Sequence, residues 1–257
     1  MDRWLGKTAL VTGAANGIGE AITRALLRNG VNVAAVDIQK ERLTTLLADV
    51  SNQNQPGSLH IMYGDVSNEE DINRIFTHIE TAHGGVDIMV NNAGITNYVR
   101  VIESDRKTFE RLLNINVLAV ATCVNKAVRS MRDRNVEGHV FNVNSIFGHE
   151  IPPPFNSDSI DCNGWNLYPA SKHATVALTD TVRKELAAIK SPIRVTSISP
   201  GLVKTEIAKH TAEKQEFFNK IPSLAPDDIA DALIYALSTR PEVQITELTI
   251  QRTGMPS

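Results

Sequence analysis

Thr8-Ala9-Leu10-Val11-Thr12-Gly13-Ala14-Ala15-Asn16-Gly17-Ile18-Gly19 is the stretch from which the architecture of the chain is read. Residues 8–11 form a short apolar run of strand character, and Gly13, Gly17 and Gly19 follow in G-x-x-x-G-x-G spacing. An amphipathic helix pattern comes next, with Ile18, Ile22, Leu26 and Leu27 on one face and Gly30 at its end. A glycine-rich turn between a strand and a helix lets the backbone approach a pyrophosphate, and the unpaired N–H groups of the helix N-terminus favour the anion. The same spacing also serves as a tight turn with no ligand, so corroboration has to come from further along. It comes first from residues 31–36, a second apolar run that ends at Asp37. An acidic residue about 20 positions beyond the glycines accepts from the ribose hydroxyls of NAD and repels the 2′-phosphate of NADP. Asn16 and Ile38 bring no compensating charge, so NAD is the expected cofactor, with Lys40 and Arg42 keeping NADP as the minority reading.

The remaining chain keeps the same alternation. Residues 40–48 read as helix and 59–63 as a third strand ending in Gly64-Asp65-Val66, and Ser67 with Glu70 has capping-box spacing for the next helix. Residues 86–90 read as strand four, followed by Asn91-Asn92-Ala93-Gly94. A long helix is predicted over 105–134, with Phe109, Leu112, Leu113, Val117, Val120, Val124 and Val128 at helical spacing. Residues 139–144 read as strand five, 168–189 as helix, and 193–198 as strand six before Ser199-Pro200-Gly201. A polar helical stretch (206–219), a helix opening at Pro226 and a last strand (243–250) complete the chain. Strands that are near-continuous apolar runs and alternate with helices require a parallel sheet covered on both faces. The expected fold is therefore α/β, a Rossmann-type doubly wound parallel sheet of about seven strands. With no linker, repeat or low-complexity tract, residues 1–257 are expected to form one domain. Residues 147–166, rich in Pro, Asn, Asp and Ser, are the exception: a loop of that length inside a compact domain is usually functional.

Composition excludes several function classes. The 257 residues are 42% hydrophobic and 21% charged, with a formal net charge of −3, which leaves no basic footprint for nucleic acid. Cys123 and Cys162 form neither a metal spacing nor a disulfide framework. No apolar run reaches the length of a membrane span, and the first strand begins too early to leave room for a signal peptide, so a cytoplasmic protein is expected.

The chemistry is expected at Tyr168-Pro169-Ala170-Ser171-Lys172. Tyr168 and Lys172 stand four apart, so on a helix they project from one face. A tyrosine with its ordinary pKa near 10 is a poor proton-transfer group at neutral pH. An ammonium roughly 5 Å away, at an effective dielectric of about 20, favours the phenolate by about 3 kcal/mol, or about two pKa units. On its own the pair also fits an exposed aromatic–Lys contact; the company it keeps decides for catalysis.

Taken together, these motifs resemble the single-domain branch of the short-chain dehydrogenase/reductase family. They are Thr12-Gly13-x-x-x-Gly17-Ile18-Gly19, Asp65-Val66, Asn91-Asn92-Ala93-Gly94, Asn116, Ser145, Tyr168-x-x-x-Lys172, Pro200-Gly201 and Thr205, in family order along nearly the whole chain. The resemblance implies that Tyr168 is the acid–base, that Lys172 holds the nicotinamide ribose and lowers the tyrosine pKa, and that Ser145 orients the substrate oxygen. It implies that Asn116 holds a water linking Lys172 to solvent. For the cofactor it implies Gly13, Asn16, Gly17, Ile18, Gly19 and Asp37, with Asp65 and Val66 at the adenine. Asn92, Ala93 and Gly94 would line the trench, and Pro200, Gly201, Val203 and Thr205 would fix the carboxamide. No metal is implied.

Tyr168 follows Ser145 by 23 positions, a wider gap than the family commonly has, and the extra residues form the loop that includes Pro152-Pro153-Pro154-Phe155 and Trp165. Phe147, Phe155 and Trp165, with Ser145, are the expected substrate contacts, with Ile160 as a further apolar one. Residues 142–149, 167–174, 197–203 and 243–250 look like the corresponding segments of insect farnesol dehydrogenases and related cytosolic ketosteroid reductases. That likeness implies a small apolar alcohol or carbonyl substrate, farnesol-like or hydroxysteroid-like. Those relatives often use NADP, and Asp37 departs from them. The family also implies a homodimer or homotetramer built on the helices around Val120 and Val176. His149 and His173 adjoin the proposed site; His60, His78, His83, His139 and His210 read as surface or structural.

Overall fold

The computed structural model describes residues 1–153, 163–208 and 221–254. Its strands are β1 (Thr8–Thr12), β2 (Asn32–Asp37), β3 (Leu59–Tyr63), β4 (Ile88–Asn91), β5 (Gly138–Val143), β6 (Ile193–Pro200) and β7 (Glu247–Ile250). Its main helices are α1 (Gly17–Arg28), α2 (Lys40–Ser51), α3 (Glu69–His83), α4 (Arg106–Leu113), α5 (Ala119–Asp133), α6 (Tyr168–Ala188) and α7 (Pro226–Ser238). The seven strands form one sheet in the order β3-β2-β1-β4-β5-β6-β7, and every pairing is parallel. The expected doubly wound sheet is therefore present.

All five residues of β1 are buried because both faces of the sheet are covered, which is why the strand reads as a continuous run rather than an alternation. Alternation survives in where the side chains go. Ala9 and Val11 join one apolar cluster with Ile22 and Leu26 of α1 and Ile229 and Leu233 of α7. Leu10 joins the other, with Ile75 and Ile79 of α3 and Val124 and Met131 of α5. Strand order reverses between β1 and β4, and a sheet of this kind opens a ligand crevice at the C-terminal ends of the strands at that reversal.

Three elements differ from expectation, each for a local reason. Asn68, not Ser67, caps α3: its side chain accepts from the backbone N–H groups of Glu70 and Asp71, while Ser67 is turned away onto Asp65 Oδ1 (2.7 Å). The helix expected over 105–134 is broken into α4 and α5 by a π turn, Asn114–Leu118, which re-aims Asn116. The last strand is shorter than 243–250 because side chains replace its first rungs. Gln244 Nε2 donates to Val195 O (2.9 Å) and Gln244 Oε1 accepts from Val195 N (3.2 Å), and Thr196 Oγ1 donates to Ile245 O (2.7 Å). Of the polar stretch 206–219, only the short turn Glu206–Ala208 falls within the described residues.

Candidate active site

Helix α6 opens at Tyr168 with Pro169 in its first turn, where a missing N–H costs nothing. The helix geometry brings Lys172 beneath the tyrosine, its Nζ 5.7 Å from the ring centroid. Lys172 is buried, and its Nζ donates to Val143 O (2.8 Å), the last residue of β5. That bond fastens α6 to the strand whose continuation carries Ser145. Ser145 is buried and caps the turn Ile146–Gly148, accepting from Phe147 N (3.2 Å). Asn116, also buried, reaches in from the π turn. Its Oδ1 accepts from Ile95 N (2.9 Å), and its Nδ2 donates to Ile95 O (2.9 Å) and to Ser171 Oγ (3.1 Å). Ser171 in turn donates to Tyr168 O (2.7 Å), so the segment after β4, the π turn and the first turn of α6 share one hydrogen-bonded chain. In the sequence Ser171 stands only as part of the motif; nothing there marks a serine one turn along a helix as the link.

More of the scaffold below this chain was not read from the sequence. Asn91 Nδ2 donates to Asn142 Oδ1 (2.8 Å) and Asn142 Nδ2 to Thr179 Oγ1 (2.8 Å). Asn144 Oδ1 accepts from Thr175 Oγ1 (2.5 Å), and its Nδ2 donates to Ser197 Oγ (2.6 Å). These buried groups hold α6 in register over β4, β5 and β6; each is satisfied by another member, as buried polar groups must be.

The electrostatics depart from the simple pair argument. Burial pushes the Tyr168 hydroxyl up to about 12, outweighing the Ser145 hydroxyl that pulls it down, and nearby Tyr98 adds to the rise. Burial pulls Lys172 down to about 8. The ammonium lies beneath the ring, but loss of solvation dominates for both groups. At neutral pH the tyrosine is therefore held protonated, a donor, with a mostly charged lysine beneath it.

Around this centre lies an aromatic wall. Phe147 meets Trp165 (centroids 4.8 Å apart) and stands edge-on to Tyr168 (6.5 Å), and Trp165 also meets Tyr98 (5.5 Å). Tyr98, in an irregular segment without periodicity, was not anticipated. Phe155, Ile160 and Cys162 lie outside the described residues. His149 Nε2 contacts Ser199 Oγ and Glu247 Oε1 (3.2 Å each), and His173 Nδ1 contacts Pro169 O (3.0 Å).

The expected trench residues gather at the reversal between β1 and β4. Gly13 and Gly17 have φ of +64° and +55°. A Cβ at Gly19 would stand 2.0 Å from Gly13 O, so the loop folds this tightly only with glycine there. Asn16 places no side-chain cap on α1, so its side chain takes up none of the first N–H groups of that helix. Asp37 is buried at the end of β2, and its carboxylate accepts from Ala15 N (3.0 Å) and Gln39 N (2.9 Å), which ties the glycine loop to β2. Thr12 Oγ1 accepts from Asn92 N (3.1 Å) and Ala93 N (3.2 Å), and Asn92 Nδ2 donates to Gly13 O (3.0 Å). Gly94 lies beside Asn116: a Cβ on it would come 3.4 Å from Asn116 Oδ1. Val66 lies near Leu10, Thr12 and Val36, and Asp65 Oδ1 is taken up by Ser67. From β6, Pro200 and Gly201 lead to Val203, bridged to Leu224, and to Thr205, which packs against Gly17. A glycine loop without room for side chains, an uncapped helix start and a carboxylate at the end of β2 suit a dinucleotide.

A family model described as short chain dehydrogenase matches residues 7–216. The chain belongs to the short-chain dehydrogenase/reductase family. It is 42% identical over 255 residues to a farnesol dehydrogenase of Aedes aegypti, covering 99% of each chain. It is 38% identical over 259 residues to dehydrogenase/reductase SDR family member 11 of Bos taurus, covering 98% of each. Among solved structures, an alcohol dehydrogenase from the archaeon Thermococcus sibiricus, complexed with 5-hydroxy-NADP, superposes with a TM-score of 0.82 at 26% identity over 98% of each chain. Membership makes this short-chain dehydrogenase an oxidoreductase of the dinucleotide-using kind. Among its described residues no helix is long and apolar enough to cross a membrane, and no group of three or more His, Cys, Asp or Glu could hold a metal ion.

Proposed function

We propose that this short-chain dehydrogenase interconverts an apolar alcohol, farnesol-like or hydroxysteroid-like, and its carbonyl, with NAD as the preferred cofactor and Tyr168 as the acid–base. The observation that supports it most is the convergence of Tyr168, Ser145 and Lys172 beside the wall of Phe147, Trp165 and Tyr98. The dinucleotide supplies the hydride acceptor or donor. The protein's part is to hold the oxygen and move its proton. Ser145 hydrogen-bonds the substrate oxygen and stabilises charge developing on it. In reduction the Tyr168 hydroxyl, protonated at neutral pH, donates to that oxygen; in oxidation its phenolate takes the hydroxyl proton. Lys172 lends positive charge to the phenolate, and Asn116 with Ser171 keeps the first turn of α6 aligned with the trench.

NAD preference rests on Asp37, whose carboxylate stands where a ribose is expected and would repel a 2′-phosphate. The alcohol dehydrogenase of Thermococcus sibiricus carries an NADP derivative, so the comparison leaves this to the residue. The remaining proposals follow the family: one domain with 147–166 as its active-site loop, a homodimer or homotetramer, and a cytoplasmic location. The direct test is nicotinamide absorbance with farnesol, NAD and NADP side by side. Turnover with NAD ahead is the expected result. Turnover with NADP alone would remove the Asp37 argument, and silence with both would separate this chain from the farnesol branch.

A further inference from the structure

The segment after β6 runs against the glycine loop and the segment after β4. Thr205 packs so close to Gly17 that a Cβ on the glycine would lie 2.9 Å from Thr205 Cγ2, and Thr96 Oγ1 donates to Ile207 O (3.0 Å). Between them stands Glu206. One of its oxygens, Oε2, accepts both from Asn16 Nδ2 (3.0 Å) and from Arg42 Nη2 (2.6 Å). Asn16 immediately precedes the uncapped start of α1, and Arg42 lies in the first turn of α2, the helix that begins just past Asp37. A single carboxylate oxygen thus joins the glycine loop to Arg42, the guanidinium five residues beyond the ribose-side acid.

We infer that Glu206 is a specificity-determining residue: by occupying Arg42 it withholds that guanidinium from the 2′-phosphate of an NADP-type dinucleotide. This rests on the reading of the crevice as a dinucleotide site and extends the NAD preference from one carboxylate to two. A phosphate monoester carries a charge between about −1.5 and −2 at neutral pH, and guanidinium is the side chain whose fork best matches it. In this protein an incoming phosphate would meet Glu206 as a like charge and find Arg42 already paired. Both partners are partly exposed, with side chains 42% and 47% accessible, so the pair is a modest one and can be undone by a single substitution.

The variant Glu206→Gln keeps an amide oxygen for Asn16 while removing the charge that holds Arg42. Binding of NADH and NADPH to the whole protein, read by nicotinamide fluorescence, is compared for the wild type, Glu206→Gln, and Glu206→Gln with Arg42→Gln. The expected result is NADPH binding tightened by about threefold to tenfold in Glu206→Gln, with NADH unchanged within about twofold. The added Arg42→Gln substitution should then abolish the gain. An unchanged NADPH-to-NADH ratio, a parallel loss for both nucleotides, or a gain that survives without Arg42 would each overturn the inference. The wild-type ratio alone tests Asp37, so a wild type that prefers NADPH refutes that reading and leaves the response to Glu206→Gln to be judged separately. Melting curves for all three proteins exclude misfolding as the source of a difference.

Discussion

His139 offers a test of the fold that is independent of the active site. The ring is fully buried on β5 and stacks on Phe141 with centroids 3.9 Å apart. Thr196 Oγ1 spends its one hydrogen on Ile245 O, so at 2.7 Å from His139 Nε2 it can only accept. The imidazole is therefore the Nε2–H tautomer, and its Nδ1 has no partner among the described residues. Burial, with Arg194 and Arg3 nearby, holds the ring well below its ordinary pKa. The sign follows from linkage: the unfolded chain gains a proton near pH 6.5 that the folded chain refuses. The contribution is intact above that pH and is lost as pH falls toward the folded value. At pH 5, about 1.5 units below the ordinary imidazole value, the loss can reach at most about 2 kcal/mol. For a domain of this size that corresponds to roughly 4–8 °C in Tm. His139→Leu keeps the volume and leaves no orphaned donor, so at pH 7.5 it should lie within about 1.5 kcal/mol of the wild type. Urea unfolding of both proteins at pH 7.5 and 5.0 should show the variant gaining on the wild type at the lower pH, by up to about 2 kcal/mol. Parallel losses in the two proteins would refute the assignment of a neutral, proton-refusing His139.

Other substitutions probe the site. Tyr168→Phe should reduce turnover by about 10²–10⁴-fold or more while an NADH fluorescence titration changes little; retained turnover would sink the proposed mechanism. Because Tyr168 is raised to about 12, alcohol oxidation by the wild type should climb as pH rises from 7 to 10; a flat profile would place the base elsewhere. Thr179→Val should cost about 1–3 kcal/mol, because Asn142 Nδ2 loses its buried acceptor, and thermal melting reads that directly. Gly19→Ala, with a Cβ 2.0 Å from Gly13 O, should weaken NADH binding more than about tenfold by distorting the loop, and binding at the wild-type level would show that the loop adapts.

The strands were legible because a sheet covered on both faces makes each of them a continuous apolar run, and β1, β2, β4, β5 and β6 all appear within a few residues of where the sequence puts them. Tyr168 and Lys172 were legible because helical periodicity alone puts them on one face. Less visible was anything set by the third dimension. The π turn at Asn114–Leu118 has the same apolar spacing as the helices on either side, so no periodicity announces it. Tyr98, Ser171, Thr175 and Thr179 acquire their roles from elements far away in sequence, and polar residues on a helix otherwise read as solvent-facing. The tyrosine pKa was misjudged for the same reason: the Lys172 charge could be counted from spacing, while the solvent excluded around both groups could not.

The side-chain amides of Asn116 and Gln244 share one property. Each offers a donor and an acceptor to both polar groups of a single main-chain residue, Ile95 for Asn116 and Val195 for Gln244. Each therefore imitates one peptide unit of a neighbouring strand. Such an imitation cannot propagate, so it finishes a rung of pairing without seeding another. Because the bonds to residues 95 and 195 reach only main chain, they place no demand on which side chain stands there, while they fix the amide itself. An Asn116→Asp substitution would leave every carbon in place and turn the donor into a second acceptor facing the Ile95 carbonyl, undoing the junction between trench and helix by exchanging one nitrogen for oxygen.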